Sequence, residues 1–395
     1  MKPIRLAHLV SHPIQYLAPI YRQMSRDPRI ELTVYFLSDA SIGRHFDVDF
    51  GQEFAWTTPL LDGYRYRLLP NAKSKPLDQA LRRPNWDVLA EVVREHYDVL
   101  WINSYVGANA WIARIAACFS GTPVFFRDDT NLLTPRPAWK RAMKGLILRN
   151  FLRGTGALFV GAENRRYWES YGVPAKRLFF APHCVDNDYW SRRARELRPE
   201  RARVRQSFGI TNEAPVILFC GKFIPKKQPL LLLAAFAALR KRQPCWLLLV
   251  GDGAMRAAID LQIRAAGIKG VLLPGFLNQD ELPRAYTAAD IFVLPSATYE
   301  TWGLVVNEAM NFGLPVVVSD RVGCGKDLVR DGWNGYTFAH ADAQQLSYCL
   351  ARLAESAALR AEFGANSANL VHDYSVEACC EGIVGAACSA GGAGR

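Results

Sequence analysis

The sequence predicts an α/β chain folded as two Rossmann-like domains that face each other across a cleft. Three observations lead there. Short apolar runs rich in Val, Ile, Leu and Phe alternate with longer helix-period stretches from end to end, the signature of parallel sheets wrapped by helices. This alternation breaks once, near 187–199, and restarts at Pro215-Val-Ile-Leu-Phe-Cys220. The chain has 395 residues, 50% hydrophobic and 22% charged, with mean hydropathy −0.04. That composition suits two or three globular domains and excludes disorder, collagen and a small disulfide scaffold.

In the first half, strands are expected over 4–10, 31–36, 65–69, 99–102, 123–126, 157–160 and 178–181. Helices fall between them over 16–25, 86–95, 109–118, 138–152 and 164–171. Residues 43–59 follow neither period and read as a loop, ordered for function or flexible. In the second half, strands are expected over 216–220, 245–250, 271–273, 291–294, 315–318 and 335–338. Helices are expected over 229–241, 255–266, 279–288, 304–311 and 344–353, and 376–388 is weakly helical. The resulting domains are 1–190 and 200–372, with a terminal segment 373–395. Ligands of open α/β sheets bind outside strand C-termini, so chemistry is sought in the loops that follow strands.

The most informative loop is Tyr299-Glu300-Thr301-Trp302-Gly303-Leu304-Val305-Val306-Asn307-Glu308. It leaves the strand ending Val293-Leu294-Pro295 and opens a helix, so the backbone N–H groups of Gly303, Leu304 and Val305 would lie at a helix N-terminus suited to an anion. Glu308 lies one and a half turns on, within reach of a ribose, and Glu300 precedes the helix where sugar hydroxyls would lie. In a second reading both glutamates only favour the positive helix end and its solvated face. The other loop is Gly221-Lys222-Phe223-Ile224-Pro225-Lys226-Lys227, which places ammonium groups where strand hands over to helix. It reads as a diphosphate clamp or as a solvated basic turn.

Together these residues resemble glycosyltransferase family 4, of bacterial type, whose enzymes have the GT-B fold. Glu300 and Glu308, separated by seven residues, match the family signature, as do Gly221, Lys222 and Lys227. Leu248-Leu-Val-Gly-Asp-Gly253, Leu273-Pro-Gly-Phe276, Ala289-Asp-Ile-Phe-Val-Leu-Pro-Ser296, Gly313-Leu-Pro-Val-Val-Val-Ser319 and Asp331-Gly-Trp-Asn-Gly335 extend the match. The resemblance is dense from about 215 to 340 and mainly architectural before that.

It implies a cytoplasmic retaining enzyme of hexosyltransferase type. A sugar would pass from a nucleotide diphosphate, of UDP or GDP type, to a lipid-linked or cell-surface glycan in polysaccharide biosynthesis, without cofactor or metal. Lys222 and Lys227 would bind the diphosphate, and the backbone at Gly303, Leu304 and Val305 the distal phosphate and sugar. Glu300 would hold the transferred sugar and Glu308 the ribose, with the base against the loop carrying Phe276. The terminal segment resembles the last GT-B helix, which crosses back to the N-terminal domain. A GT-B epimerase or hydrolase, and a non-catalytic nucleotide-sugar-binding subunit, are the rival readings.

On the acceptor side the sequence departs from the family. Asn103 stands at a strand end where many members have histidine, and Ser11-His12-Pro13-Ile14-Gln15-Tyr16 replaces a glycine-rich loop. His12, Gln15, Asn103 and Arg127, the last followed by Asp128, read either as acceptor contacts or as loop residues bonded to local backbone. Asp47-Val-Asp49 and Asp186-Asn-Asp188 have a metal-binding spacing that two aspartates often reach by chance, and Asp186 reads as structural. Gly251-Asp-Gly253 reads as a tight strand-to-helix turn, because the rest of a dinucleotide fingerprint is missing.

The net charge of +11 is uneven. Residues 1–200 carry 29 Lys+Arg against 20 Asp+Glu, and residues 201–395 carry 19 against 17. A basic half points to an anionic partner, and no zinc-finger, basic-zipper or aromatic-basic motif supports nucleic acid. Residues 136–153 hold Arg136, Lys140, Arg141, Lys144, Arg149 and Arg153 without an acid, with Trp139, Met143, Ile147 and Phe151 recurring every fourth residue. Either this stripe packs on the N-terminal sheet, or the helix lies on an anionic membrane and places the protein peripherally at the inner face. The longest apolar stretch, 230–239, is far short of the ~20 residues of a membrane span, and 4–10 is too short for a secretory leader. Nine cysteines with no C-x-x-C pair read as thiols of a reducing compartment.

Overall fold

The computed structural model describes residues 2–47, 50–69 and 83–391. Its strands are β1 (Ile4–Val10), β2 (Ile30–Phe36), β3 (His45–Asp47), β4 (Gln52–Phe54), β5 (Tyr66–Leu68), β6 (Val99–Asn103), β7 (Val124–Arg127), β8 (Gly156–Phe159) and β9 (Leu178–Phe180). They continue with β10 (Val216–Cys220), β11 (Trp246–Val250), β12 (Val271–Gly275), β13 (Ile291–Leu294), β14 (Val316–Ser319) and β15 (Gly335–Phe338). One sheet has the order β5-β2-β1-β6-β7-β8-β9 and the other β12-β11-β10-β13-β14-β15. The described strand pairs within both are parallel. Each order reverses once, at β1/β6 and at β10/β13, which are the switch points where such sheets bind ligands.

The central strands are apolar throughout because helices cover both faces of each sheet. Val216–Cys220, Ile291–Leu294 and Val316–Ser319 are buried at every residue. Polar side chains enter the first sheet's core at His8, Thr33 and Arg127. His8 meets the Trp101 carbonyl oxygen at 3.1 Å and the Tyr21 hydroxyl at 2.9 Å, and burial drives its pKa down to about 3, so the ring is neutral.

The chain divides into two compact units, one of residues 1–45, 58–183 and 376–395, the other of 46–57 and 184–375. The stretch 46–57 therefore goes with the second unit, outside the contiguous 1–190 expected from sequence. The cause is aromatic packing, since the rings of Phe50 and Phe54 lie 4.8 and 4.7 Å from that of Phe276. Residues 43–59 are also not all loop, for β3 and β4 pair as a two-stranded sheet. The final helix, Val376–Gly391, packs with the first unit, where Arg29 bonds Glu381 at 2.7 Å.

Two expectations change. The stretch 187–199, read as irregular, contains the helix Asn187–Leu197. A single fully buried anchor, Trp190, holds it against Tyr286, too little apolar content to produce a helical period. Asp186 caps it by accepting from the Tyr189 N–H at 2.9 Å. The second change concerns the basic helix, Ala138–Phe151. Of its fourfold stripe only Phe151 is buried, whereas Trp139, Met143 and Ile147 are exposed. The residues that anchor it are Gly145, Leu148 and Phe151, so of the stripe Phe151 meets the sheet, its ring 5.2 Å from that of Phe126, and the other three members do not pack on it.

Loss of the cap by Asp186→Ala is expected to lower unfolding free energy by about 1 kcal/mol, read as a lower urea midpoint at unchanged slope. An unchanged midpoint contradicts the capping role.

Candidate functional site

In the second unit the two informative loops leave adjacent strands at the β10/β13 switch point. Gly221 follows β10 with φ +155°, and its N–H donates to the Val250 carbonyl at 3.0 Å. Gly251 follows β11, and a Cβ there would stand 2.0 Å from the Gly221 carbonyl oxygen. No side chain is tolerated at that crossing, which gives the Gly251-Asp-Gly253 turn its physical reason. After Gly221 comes a 3-10 turn, Pro225–Lys227, then the helix Pro229–Arg240.

The loop after β13 is tied to this turn at two points. The Ala297 N–H donates to the Lys226 carbonyl at 2.7 Å. The Lys227 ammonium forms a direct ion pair with Glu300, which also accepts from the Ser296 hydroxyl at 2.7 Å. Both partners of the ion pair are largely buried, at 13% and 11% side-chain exposure, so the pair is shielded from the solvent screening that weakens surface salt bridges. Gly303 then adopts φ +103° at the start of the helix Leu304–Asn311, and no side chain caps that N-terminus. A Cβ on Gly303 would meet Leu294 at 2.8 Å and Val322 at 3.4 Å. The helix end thus keeps its positive dipole and its first N–H groups for an anion.

Glu308 is 1% exposed and accepts from the Tyr286 hydroxyl at 2.7 Å. The solvated-face reading of Glu308 therefore fails. A carboxylate buried this deeply is costly unless hydrogen-bonded, and Tyr286 supplies such a bond. Lys222 is salt-bridged to Asp47, with both carboxylate oxygens 3.0 Å from its Nζ, and its ammonium stands 4.9 Å over the Phe50 ring. Phe276 is the ring on which Phe50 and Phe54 rest.

Sequence reasoning missed the parts played by Ser296, Tyr286, Phe50 and Phe54. Ser296 closes the run 289–296, two residues beyond β13, and that position is its one signal in the sequence. Tyr286 carried none. Asp47 has the spacing of half a metal pair in the sequence. It is instead the counter-ion of Lys222, while Asp49 lies outside the described residues. Among the described residues no three His, Cys, Asp or Glu side chains gather as a metal site.

The acceptor-side candidates are in the first unit. Asn103 ends β6 and, with Ser11 and Ser104, lines a cavity of about 150 Å³ at the β1/β6 switch point. His12 shares a hydrogen bond with the Ser11 hydroxyl at 2.8 Å, and burial followed by the charge of His45 lowers its pKa to about 4. Gln15 is 8% exposed. Neither His12 nor Gln15 lines the cavity. Arg127 is 2% exposed and donates to the carbonyls of Ala181 and Pro182 at 3.4 and 3.1 Å. Its guanidinium is thus engaged with backbone, the second of the two readings its sequence position allows.

Asp128 accepts from the Thr130 N–H and the Asn164 amide, while its Oδ2 is buried without a hydrogen-bond partner. Burial, then the charge of Asp129, pushes its pKa up to about 7. A carboxyl raised in the fold above its unfolded value leaves stability intact below the unfolded pKa and costs it progressively as pH rises toward the folded one. Relative to wild type, Asp128→Asn is expected to gain more melting temperature at about pH 8 than at about pH 4, measured by scanning calorimetry. A difference independent of pH contradicts this.

Comparison with known proteins follows the same division of the chain. Residues 200–370 match the family model described as glycosyl transferases group 1. The α-D-kanosaminyltransferase of Streptomyces kanamyceticus is 26% identical over 216 residues, 54% of this chain and 54% of that protein. A D-inositol 3-phosphate glycosyltransferase of Geodermatophilus obscurus is 35% identical over 184 residues, 44% of this chain and 39% of that protein. The chain thus spans about half, or less, of the length of these curated relatives. Among solved structures, a glycosyltransferase from Rickettsia africae superposes with TM-score 0.74 at 14% identity, covering 99% of each chain. Anabaena Alr3699/HepE in complex with UDP and glucose superposes with TM-score 0.70 at 19% identity, covering 98% of this chain and 100% of that one. The second unit's core is therefore similar to glycosyl transferases of group 1, and the fold is that of the GT-B glycosyltransferases, with two Rossmann-like domains.

Proposed function

We propose that this chain is a retaining glycosyltransferase of family 4 type, moving a hexose-like sugar from a nucleotide diphosphate to a lipid-linked or cell-surface glycan in polysaccharide biosynthesis. The observation that carries the reading is the cluster at the β10/β13 switch point, where Lys227, Glu300 and Ser296 are joined beside the uncapped helix end at Gly303. Cations and N–H dipoles meet there, as a diphosphate requires. Glu308 is set deeper in the same helix, where a ribose would offer hydroxyls. UDP in HepE supports a uridine donor, and GDP is the alternative base.

In this reading Lys227 and the N–H groups of Leu304 and Val305 hold the diphosphate and stabilise charge on the departing phosphate. One lysine about 4 Å from a phosphate oxygen contributes roughly 4 kcal/mol of Coulomb energy at an effective dielectric constant near 20, before desolvation. Glu300 orients the transferred sugar. The leaving phosphate accepts the acceptor's proton on the same face, so charge stabilisation replaces a strong base and no metal is required. Phe276 supports the base. Lys222 joins the clamp when its ammonium exchanges Asp47 for phosphate. Asn103 and Ser104, with His12 and Gln15 nearby in sequence to Ser11, serve the acceptor, and the enzyme works at the cytoplasmic face.

Lys227→Ala and Glu308→Ala are each expected to lower kcat for donor turnover by about 10²-fold to 10³-fold, with circular dichroism unchanged. Glu308→Gln, which keeps the side-chain volume, gives the same loss if Ala disturbs the fold. Wild-type turnover in these variants would sink the assignment. Mass spectrometry of products with and without acceptor separates transfer from hydrolysis and epimerisation. Asp47→Asn removes the carboxylate that competes for Lys222, so calorimetric affinity for UDP or GDP is expected to rise by about threefold to tenfold. Weaker binding would show that Asp47 positions the lysine rather than competes for it.

A further inference from the structure

The basic helix Ala138–Phe151 does not stand alone. Its exposed apolar residues, Trp139, Met143, Leu146 and Ile147, are joined by Trp111, Ile115 and Phe119 of the helix Ala108–Ser120, with Leu146 at 69% and Phe119 at 79% exposure. The two helices adjoin where Trp111 stacks on Phe151 at 3.9 Å and Arg114 donates to the Arg153 carbonyl at 3.0 Å. Another flank of the helix Ala138–Phe151 lines a cavity of about 400 Å³, whose charged lining residues are Arg136, Arg141, Lys144 and Arg149, with no carboxylate among the lining side chains. Lys144 points its ammonium at the rings of Tyr105, Tyr167 and Tyr171, 5.0 to 5.4 Å from their centres. Burial, then the charge of Arg136, lowers its pKa to about 8, with the charge of Asp128 acting the other way.

We propose that these two helices form a membrane-docking face, with the exposed aromatic and aliphatic side chains entering the headgroup–acyl boundary and the cationic cavity receiving the phosphate of an anionic phospholipid. Charge decides the occupant. Six cations between 136 and 153 with no acid complement an anionic bilayer, and would repel each other if two copies of this face met. The apolar load, large for a monomer's surface, fits the shallow insertion of interfacial helices. Long Lys and Arg stems lie along such a boundary with their charges in the headgroup layer. Docking deepens the acceptor half of the proposed function, because it would bring a lipid-linked acceptor to the enzyme. Its test is nevertheless independent of sugar transfer.

The test is co-sedimentation of the full chain, without donor, with phosphatidylcholine vesicles and with vesicles also containing phosphatidylglycerol. Wild type is expected to sediment with the anionic vesicles and to be released by salt. Trp139→Ala combined with Phe119→Ala should lower the partition coefficient about tenfold or more, as should Lys140→Glu with Arg141→Glu. Lys144→Gln should reduce the preference for anionic over neutral vesicles, and inorganic phosphate at millimolar levels should not displace the protein. Absence of wild-type binding, or equal binding by the variants, overturns the proposal. So does a concentration-dependent dimer in sedimentation velocity that Trp139→Ala abolishes, which would assign the face to self-association. Turnover of a soluble acceptor is expected to be unchanged in Trp139→Ala. Failure of sugar transfer and failure of docking therefore give different results.

Discussion

The ion pair of Lys227 with Glu300 links the ends of two strands that are neighbours in the sheet but some seventy residues apart in sequence. One residue belongs to the turn after β10 and the other to the loop after β13. Their union, with the Ser296 hydroxyl, fixes both loops before any ligand arrives. A buried pair of this kind is expensive to desolvate and contributes little net stability. Its value lies in preorganisation: an ammonium and an uncapped helix N-terminus are already positioned, so a bound anion meets them without further reorganisation. At the ends of β10 and β11 the backbones of Gly221 and Gly251 cross so closely that a Cβ on Gly251 would stand 2.0 Å from the Gly221 carbonyl oxygen.

Most of this framework was legible in the sequence, because buried parallel strands are nearly continuous apolar runs and the strand-end loops carry Gly, Lys and Glu in recognisable order. The strands of the second sheet fall within a residue or two of where Val, Ile and Leu place them. Less was legible where one side chain does the anchoring. The helix Asn187–Leu197 rests on Trp190 and an Asp186 cap, and neither creates a period. β3 and β4 are three residues each, too short for alternation to show.

The candidate site divides in the same way. Gly303, Glu308 and Lys227 stand where their motifs put them, on rigid strand and helix ends. The partners of Lys222 and Glu308 were hidden because they come from elsewhere in sequence: Asp47 is 175 residues from Lys222, and Tyr286 lies on a different helix from Glu308. Arg127 shows how the fold bears on two readings that the sequence leaves open. A cation at a strand end looks available on paper, yet in the fold its guanidinium goes to the carbonyls of Ala181 and Pro182. The positive excess of the first half has a location too. Much of it collects on and around the helix Ala138–Phe151, away in sequence from Lys222 and Lys227.

The two units are interleaved along the chain, and this bears on how the protein is made. The second unit draws on residues 46–57, made well before the Lys222 and Phe276 against which that piece packs. The first unit waits longer, since its final helix holds Cys380, which donates to the Ile20 carbonyl 360 positions earlier. Contacts of such sequence separation form late and slowly. Each unit therefore needs segments made far apart, and both sheets pass through a period in which strands are present while their covering segments are still to come, exposing apolar surface to aggregation.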